Sequence, residues 1–205
     1  MKNFKTKAFT LVEMLIVIVI IGILIAALLP RLQGAQSMAR DTSRQTALSQ
    51  IGAGILAYQS QFGHYPLYDS GAVSTEILRT PLVGNGLMND IPTDRSSTNS
   101  VSGLGSGSTV ITGGNFAYMV ITKNSMPNNG YVIMAHTETP GNSNWVVASG
   151  ASTLADGLIS ATDDLRNVIP CSTMTQGGSS AADVTNTSGA CIYYDQSNLR
   201  YIYTY

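Results

Sequence analysis

The chain has 205 residues, 44% of them hydrophobic and only 11% charged, with a formal net charge of −1. That length suits one ordinary domain plus an extra element, and the near-neutral balance gives no general electrostatic footprint for nucleic acid. Much of the apolar excess sits in residues 11–29, and the remainder is rich in Ser, Thr, Asn and Gly. This composition points to a small β-containing domain with long polar loops and argues against a large buried core.

The first eight residues, MKNFKTKA (Met1–Ala8), carry three lysines and no acid. Phe9 to Pro30 follows as FTLVEMLIVIVIIGILIAALLP, with no charge from Met14 to Leu29. A helix over residues 11–29 nearly spans a bilayer core of about 30 Å, and the preceding lysines favour a cytoplasmic N-terminus. Three readings fit this pattern. A secretory signal peptide has a shorter apolar region, of about 7–15 residues, and leaves Glu13 unexplained. A plain signal anchor also leaves Glu13 unexplained. Cleavage between Ala8 and Phe9 gives Glu13 a task, because a carboxylate in lipid seeks a positive partner and a neighbouring subunit's new α-amine supplies one.

Ala8-Phe9-Thr10-Leu11-Val12-Glu13 and the apolar run after it resemble the class III leader and N-terminal helix of type IV pilins and pseudopilins. The resemblance covers about the first 55 residues. It implies that a prepilin peptidase cuts before Phe9 and methylates its amine, that Glu13 recruits and registers each new subunit, and that Pro30 bends the helix. The residue before the cut, usually glycine in the family, is Ala8 here. Removing Met1–Ala8 lowers the basic count from 11 to 8 against 12 acidic residues, for a mature charge of −4. Only a local basic patch then leaves a route to nucleic acid.

Beyond Pro30, Leu48, Ile51, Ile55, Tyr58 and Phe62 recur at spacings of 3, 4, 3 and 4, one stripe of a helix. The helix therefore extends from about Thr10 to Gln61, with Arg31, Arg40, Asp41 and Arg44 in its first polar turns, and with Gly52 and Gly54 weakening it. Gly63 and Pro66 end it. A short helix is expected over Thr75–Arg79, and the Ser/Gly-rich residues 95–114 read as a flexible surface loop. Strands are expected over Phe116–Thr122, Tyr131–Thr137 and Trp145–Ser149, with a turn at Pro127–Gly130 between the first two. Thr162–Val168 reads as a short helix capped by Thr162. Cys191–Tyr194 and Arg200–Tyr205 read as closing strands.

The only cysteines are Cys171 and Cys191. An even count in an exported chain favours one disulfide, which would stabilise by about 3 kcal/mol in the chain-entropy model. A cysteine pair bracketing a C-terminal segment resembles the D-region of type IV pilins more than the major secretion pseudopilins.

The sequence offers no catalytic constellation, and no cofactor is implied. His64 and His136 have no cysteine or carboxylate at metal-ligand spacing. Gly103–Gly107 joins no strand to a helix, as a phosphate loop would require. Asp163 and Asp164 read as caps of a helix start rather than calcium ligands. The tyrosines at 193, 194, 201, 203 and 205 read as core packing rather than an adhesive surface. Asn186-Thr187-Ser188 fits a glycosylation sequon, a weak signal.

The expectation is an α+β protein with a leader over residues 1–8, an N-terminal helix over 9–62 (transmembrane at about 11–29) and a globular head over 63–205. Within the head come an αβ-loop (about 63–115), an antiparallel sheet (about 116–150) and a C-terminal disulfide region (about 171–191). The implied function is that of a pilin. It is a single-pass membrane protein that then joins an extracellular filament used for adhesion, motility or DNA uptake. Its implied partners are copies of itself, other pilins, the prepilin peptidase, the inner-membrane assembly platform and the membrane. The rival readings are a pseudopilin of a secretion or DNA-uptake system and a membrane-anchored binding protein or hydrolase.

Overall fold

The computed structural model describes residues 9–67, 71–96, 98–105, 109–147, 158–164, 173–176, 190–193 and 196–205. The chain divides into two compact units, residues 1–37 and 38–205.

The first unit is helical throughout its described length beyond Thr10. Helix α1 spans Leu11–Phe62 and its backbone continues through Pro30. Its start is a reciprocal capping box. The Glu13 carboxylate accepts from the Thr10 backbone N–H (2.8 Å) and hydroxyl (2.7 Å), and the Glu13 N–H donates back to Thr10 Oγ1 (3.2 Å). Every residue from Phe9 to Leu29 is exposed.

In the second unit the stripe predicted on α1 does its packing. Leu48, Ile51 and Ile55 are completely buried, while Phe62 at the helix end is exposed. The helix stops where expected: Gly63 adopts φ +80° and its N–H bonds the Gln59 carbonyl (2.8 Å), a left-handed exit that glycine makes without a steric cost.

Five strands form one antiparallel sheet: β1 (Val73–Ser74), β2 (Ala117–Lys123), β3 (Met126–His136), β4 (Trp145–Val146) and β7 (Leu199–Thr204), in the order β1-β2-β3-β7-β4. A separate parallel pair joins β5 (Thr173–Gln176) to β6 (Ala190–Tyr193). Side chains on β2 alternate between two cores. Tyr118 and Val120 face the helix side with Leu48, Ile51, Tyr131 and Ile133. Ala117, Met119 and Ile121 join a second cluster with Val132, Met134, Trp145 and Ile159.

That second core corrects the reading of residues 95–114 as a flexible surface loop. Val101, Leu104 and Ile111 are buried in it. Backbone bonds pair Val101 with Ile111 and tie Gly103 and Gly105 to Ile159. The cause lies in the strands: β2 and β3 are apolar at consecutive positions, so both sheet faces must be covered. Each large side chain so buried stabilises by about 1.5–3 kcal/mol relative to exposure.

The hairpin turn also differs. It falls at Asn124-Ser125, both with positive φ (54° and 62°), closing a two-residue loop between Lys123 and Met126. The expected turn residues Pro127–Gly130 lie inside β3 instead, next to a register shift, with Asn128 at φ 53°. Pro127 is tolerated there because β7 pairs only with Val132–His136.

Thr75–Leu78 is a 3₁₀ turn capped by the Ser74 hydroxyl, and a π turn over Arg79–Val83 follows it. Thr162 lies in a turn and Asp164 bridges to Thr122; residues 165–168 of the expected helix lie outside the described residues. Asp163 accepts from the Ser160 N–H (2.7 Å) and Asp164 from the Ser125 N–H (2.9 Å), so these acids secure local turns.

The glycines of α1 carry a further correction. Gly52 and Gly54 are positions of close approach: a Cβ on Gly52 would lie 2.3 Å from the Tyr203 ring, and one on Gly54 would lie 2.4 Å from Met88 Sδ. Helix propensity is given up there so that the sheet and a neighbouring loop can reach the helix backbone.

Candidate functional site

The apolar segment Leu11–Leu29 has a mean hydropathy of 3.1 over 19 residues, long and apolar enough to cross a membrane. Phe9 is exposed, and Glu13 is the acid in the first helical turn. In this chain Glu13 is held by Thr10, an interaction the sequence reading did not consider. Its signal was present as Thr10-x-x-Glu13 before an apolar run. Ala8 lies outside the described residues, as do Cys171, Tyr194 and Asn186-Thr187-Ser188. Nothing beyond its helical backbone is described for Pro30. Cys191 is completely buried with Val146 and Leu199 and is not a free thiol.

A second set of residues, which sequence reasoning left as polar helix turns, forms the electrostatic centre of the head. Asp41 and Arg44 extend the buried stripe of α1 backwards at the same spacing (41, 44, 48, 51, 55), so their side chains enter the interior. Arg44 is 2% exposed and uses all three of its donor nitrogens on carboxylates. Nη1 donates to Asp41 (2.7 Å), Nε to Asp94 (2.8 Å) and Nη2 to Glu138 (2.9 Å). Asp41 also accepts the backbone N–H groups of Glu138 and Thr139, each at 2.9 Å, and Asp94 accepts that of Ser96 (3.0 Å). Arg40 makes a two-pronged contact with Glu138. The network ties the helix to the 91–96 loop and to the segment after β3. The recurring 3-4 spacing continued into charged residues was the available signal; it went unused because charge normally marks a solvated face.

Burial opposes the charge on Arg44, but its bonds to Asp94, then Glu138 and Asp41, carry the guanidinium above its ordinary value. The Arg40 bond first, then those of Arg44, holds the Glu138 carboxyl down at about 2 despite partial burial. In the unfolded chain a glutamate titrates near about 4.3. Stabilisation from Glu138 is therefore complete above that value and disappears as pH falls towards about 2. After allowance for its partly solvated position, the loss is on the order of 2 kcal/mol. Unfolding midpoints of wild type and Glu138→Gln are expected to converge across that window; a constant gap down to pH 2 would refute the assignment.

The remaining titratable candidates serve packing. His64 stands edge-on to Tyr58 at 5.8 Å with Nδ1 3.0 Å from the Tyr65 carbonyl. His136 is buried at the end of β3. Tyr201 and Tyr203 pack on the helix-side core and Tyr193 on the cluster around Cys191, while Tyr205 is exposed and lies under the Lys123 ammonium. Among the described residues no group of three or more His, Cys, Asp or Glu side chains is placed to hold a metal ion.

No curated protein matches the chain. The family model described as the prokaryotic N-terminal methylation motif matches residues 3–29, which contain Phe9, Glu13 and the whole apolar segment. A methylation motif on a long apolar helix, continued into a helix that packs on a small antiparallel sheet, is the α+β arrangement of pilin-like and pseudopilin proteins.

Proposed function

We propose that the chain is a structural subunit of a type IV pilus-like filament, built through its N-terminal helix. The observation that supports this best is the methylation motif at the head of an apolar segment that is exposed along its whole length. A 19-residue segment whose one charged side chain is Glu13 is untenable in water, so it needs lipid before assembly and a bundle of like helices afterwards; transfer between the two keeps its surface out of water.

In this reading the prepilin peptidase cuts after Ala8 and methylates Phe9, and the assembly platform lifts the subunit from the membrane. Glu13 leaves Thr10 and pairs with the amine of a neighbour's Phe9 as the subunit docks. Pro30 relaxes the helix locally, since it supplies no backbone donor. Cys171 and Cys191 form the disulfide that closes the C-terminal region, which faces outward with the head's loops. A pseudopilin shares the anchor and the head; the cysteine pair favours the pilus subunit.

Glu13→Gln separates the two tasks of Glu13, because glutamine keeps the capping box and loses the charge. Both Glu13→Gln and Glu13→Ala are expected to insert normally and to reduce sheared surface filament at least about tenfold, as measured by immunoblot of the sheared fraction. Wild-type filament from Glu13→Gln would reduce Glu13 to a local cap. Intact mass of sheared wild-type material tests the processing itself: a chain beginning at methylated Phe9 is expected, and one retaining Met1–Ala8 would overturn the reading.

A further inference from the structure

The head contains a polar cleft of about 550 Å³, next to the ion-pair network but open to solvent. That volume lies within the range of small-molecule sites. Arg40, Arg95, Ser96, Thr98, Asn99 and His136 line it, with Glu138 and Ser197. Among its described lining residues there is no Phe, Tyr or Trp to stack on, so directed hydrogen bonds are the main means of holding a ligand.

The donors are distributed unevenly. Glu138 is already engaged by Arg40 and Arg44, and Asp41 and Asp94 by Arg44. Arg40 commits Nε and Nη2 to Glu138 and keeps Nη1. Arg95 is exposed at the cleft and forms no ion pair or hydrogen bond among the described residues. Among the described residues Arg40 and Arg44 are paired with Asp41, Asp94 and Glu138, and Arg200, behind Ser197, donates to the Ser197 and Leu199 carbonyls and to Ser102, so bulk charge is not what this cleft offers an anion. Recognition instead requires an oxyanion placed on Arg95 together with hydroxyls placed on the Thr98, Asn99 and Ser96 side chains. A guanidinium fork matches a carboxylate or phosphate in geometry as well as charge.

We propose that this cleft binds an acidic saccharide, its carboxylate or phosphate on Arg95 and its hydroxyls on Ser96, Thr98 and Asn99. The proposal holds for the head whether or not the chain polymerises.

The test uses the full-length chain in polyoxyethylene detergent micelles, which contain no sugar. Glucuronate, glucose 6-phosphate and neutral glucose are titrated at fixed ionic strength, with binding followed by saturation-transfer NMR. One or both acidic sugars are expected to bind with a dissociation constant on the order of 1 mM, and glucose at least about tenfold more weakly. The sugar that binds identifies the carboxylate or the phosphate as the preferred anion. Arg95→Ala is expected to weaken binding about tenfold or more, and Thr98→Ala to weaken it less. Arg79→Ala, at an exposed arginine elsewhere on the head, is expected to leave it unchanged. Equal binding of glucose, binding that survives Arg95→Ala in a folded variant, or no binding of either acidic sugar would overturn the proposal.

Discussion

Replacing Arg44 by methionine is expected to destabilise the head by about 3–5 kcal/mol. Methionine fills much of the same volume, so the cost is electrostatic. Asp41, completely buried, and Asp94, nearly so, would lose the cation that faces them, and Glu138 would keep only Arg40. Arg44→Lys should recover only part of the loss, since one ammonium cannot reach three carboxylates in three directions. Trp145, the chain's single tryptophan, is buried in the head and reports unfolding by fluorescence. Denaturant titration of the full-length chain in micelles gives the comparison. A loss below about 1 kcal/mol in Arg44→Met would show that the network adds little beyond its packing.

Gly52→Ala is expected to destabilise although alanine is the better helix former. Two effects compete. Helix propensity favours alanine by about 1 kcal/mol, while overpacking costs about 1–3 kcal/mol. Overpacking wins because the new Cβ would sit 2.3 Å from Tyr203 Cε1 and 3.0 Å from the Tyr131 hydroxyl. The Tyr131 ring has no room to retreat, and Tyr203 is packed against it. Tyr131 and Tyr203 lie 6.5 Å apart, Tyr131 is completely buried, and its hydroxyl donates to the Gly52 carbonyl (3.3 Å). Gly54→Ala provides the contrast. Its nearest obstacle is the Sδ of Met88, an unbranched side chain that can change rotamer, so the overpacking cost is smaller and the substitution should be close to neutral. The same tryptophan titration ranks the two variants; equal effects, or Gly54→Ala being the worse, would refute this account of the glycines.

These two positions show what kind of information a linear reading lacks. Gly52 and Gly54 have a definite meaning for the helix alone, a loss of propensity. Their value appears only when Tyr203, 151 positions further on, and Met88 are brought against them. Asp41 and Arg44 are similar: charge marks them as surface residues until two distant carboxylates, Asp94 and Glu138, and two backbone N–H groups make burial affordable. The hairpin turn was misplaced for a local reason. Pro127-Asn128-Asn129-Gly130 has stronger turn chemistry than Asn124-Ser125, but the pairing of Ile121 with Gly130 and of Lys123 with Met126 puts the reversal earlier. The polar composition of residues 95–114 predicts a flexible surface loop, yet the second apolar face of the sheet needs Val101, Leu104 and Ile111 as its cover.

The N-terminal segment needed no such partner to be legible. A run of apolar residues long enough for a bilayer, a basic start, one acid in the first turn and the 3-4 stripe further along are properties of adjacent residues, and helix formation depends on adjacent residues. The sequence by itself therefore determined the long helix, its glycine stop, the strand-rich head and the pilin-like α+β class. Only the tertiary structure decided which helix positions meet the sheet at backbone distance, which charges are buried, and which polar loop closes the second core, because each depends on groups far apart in the chain sharing one desolvated space.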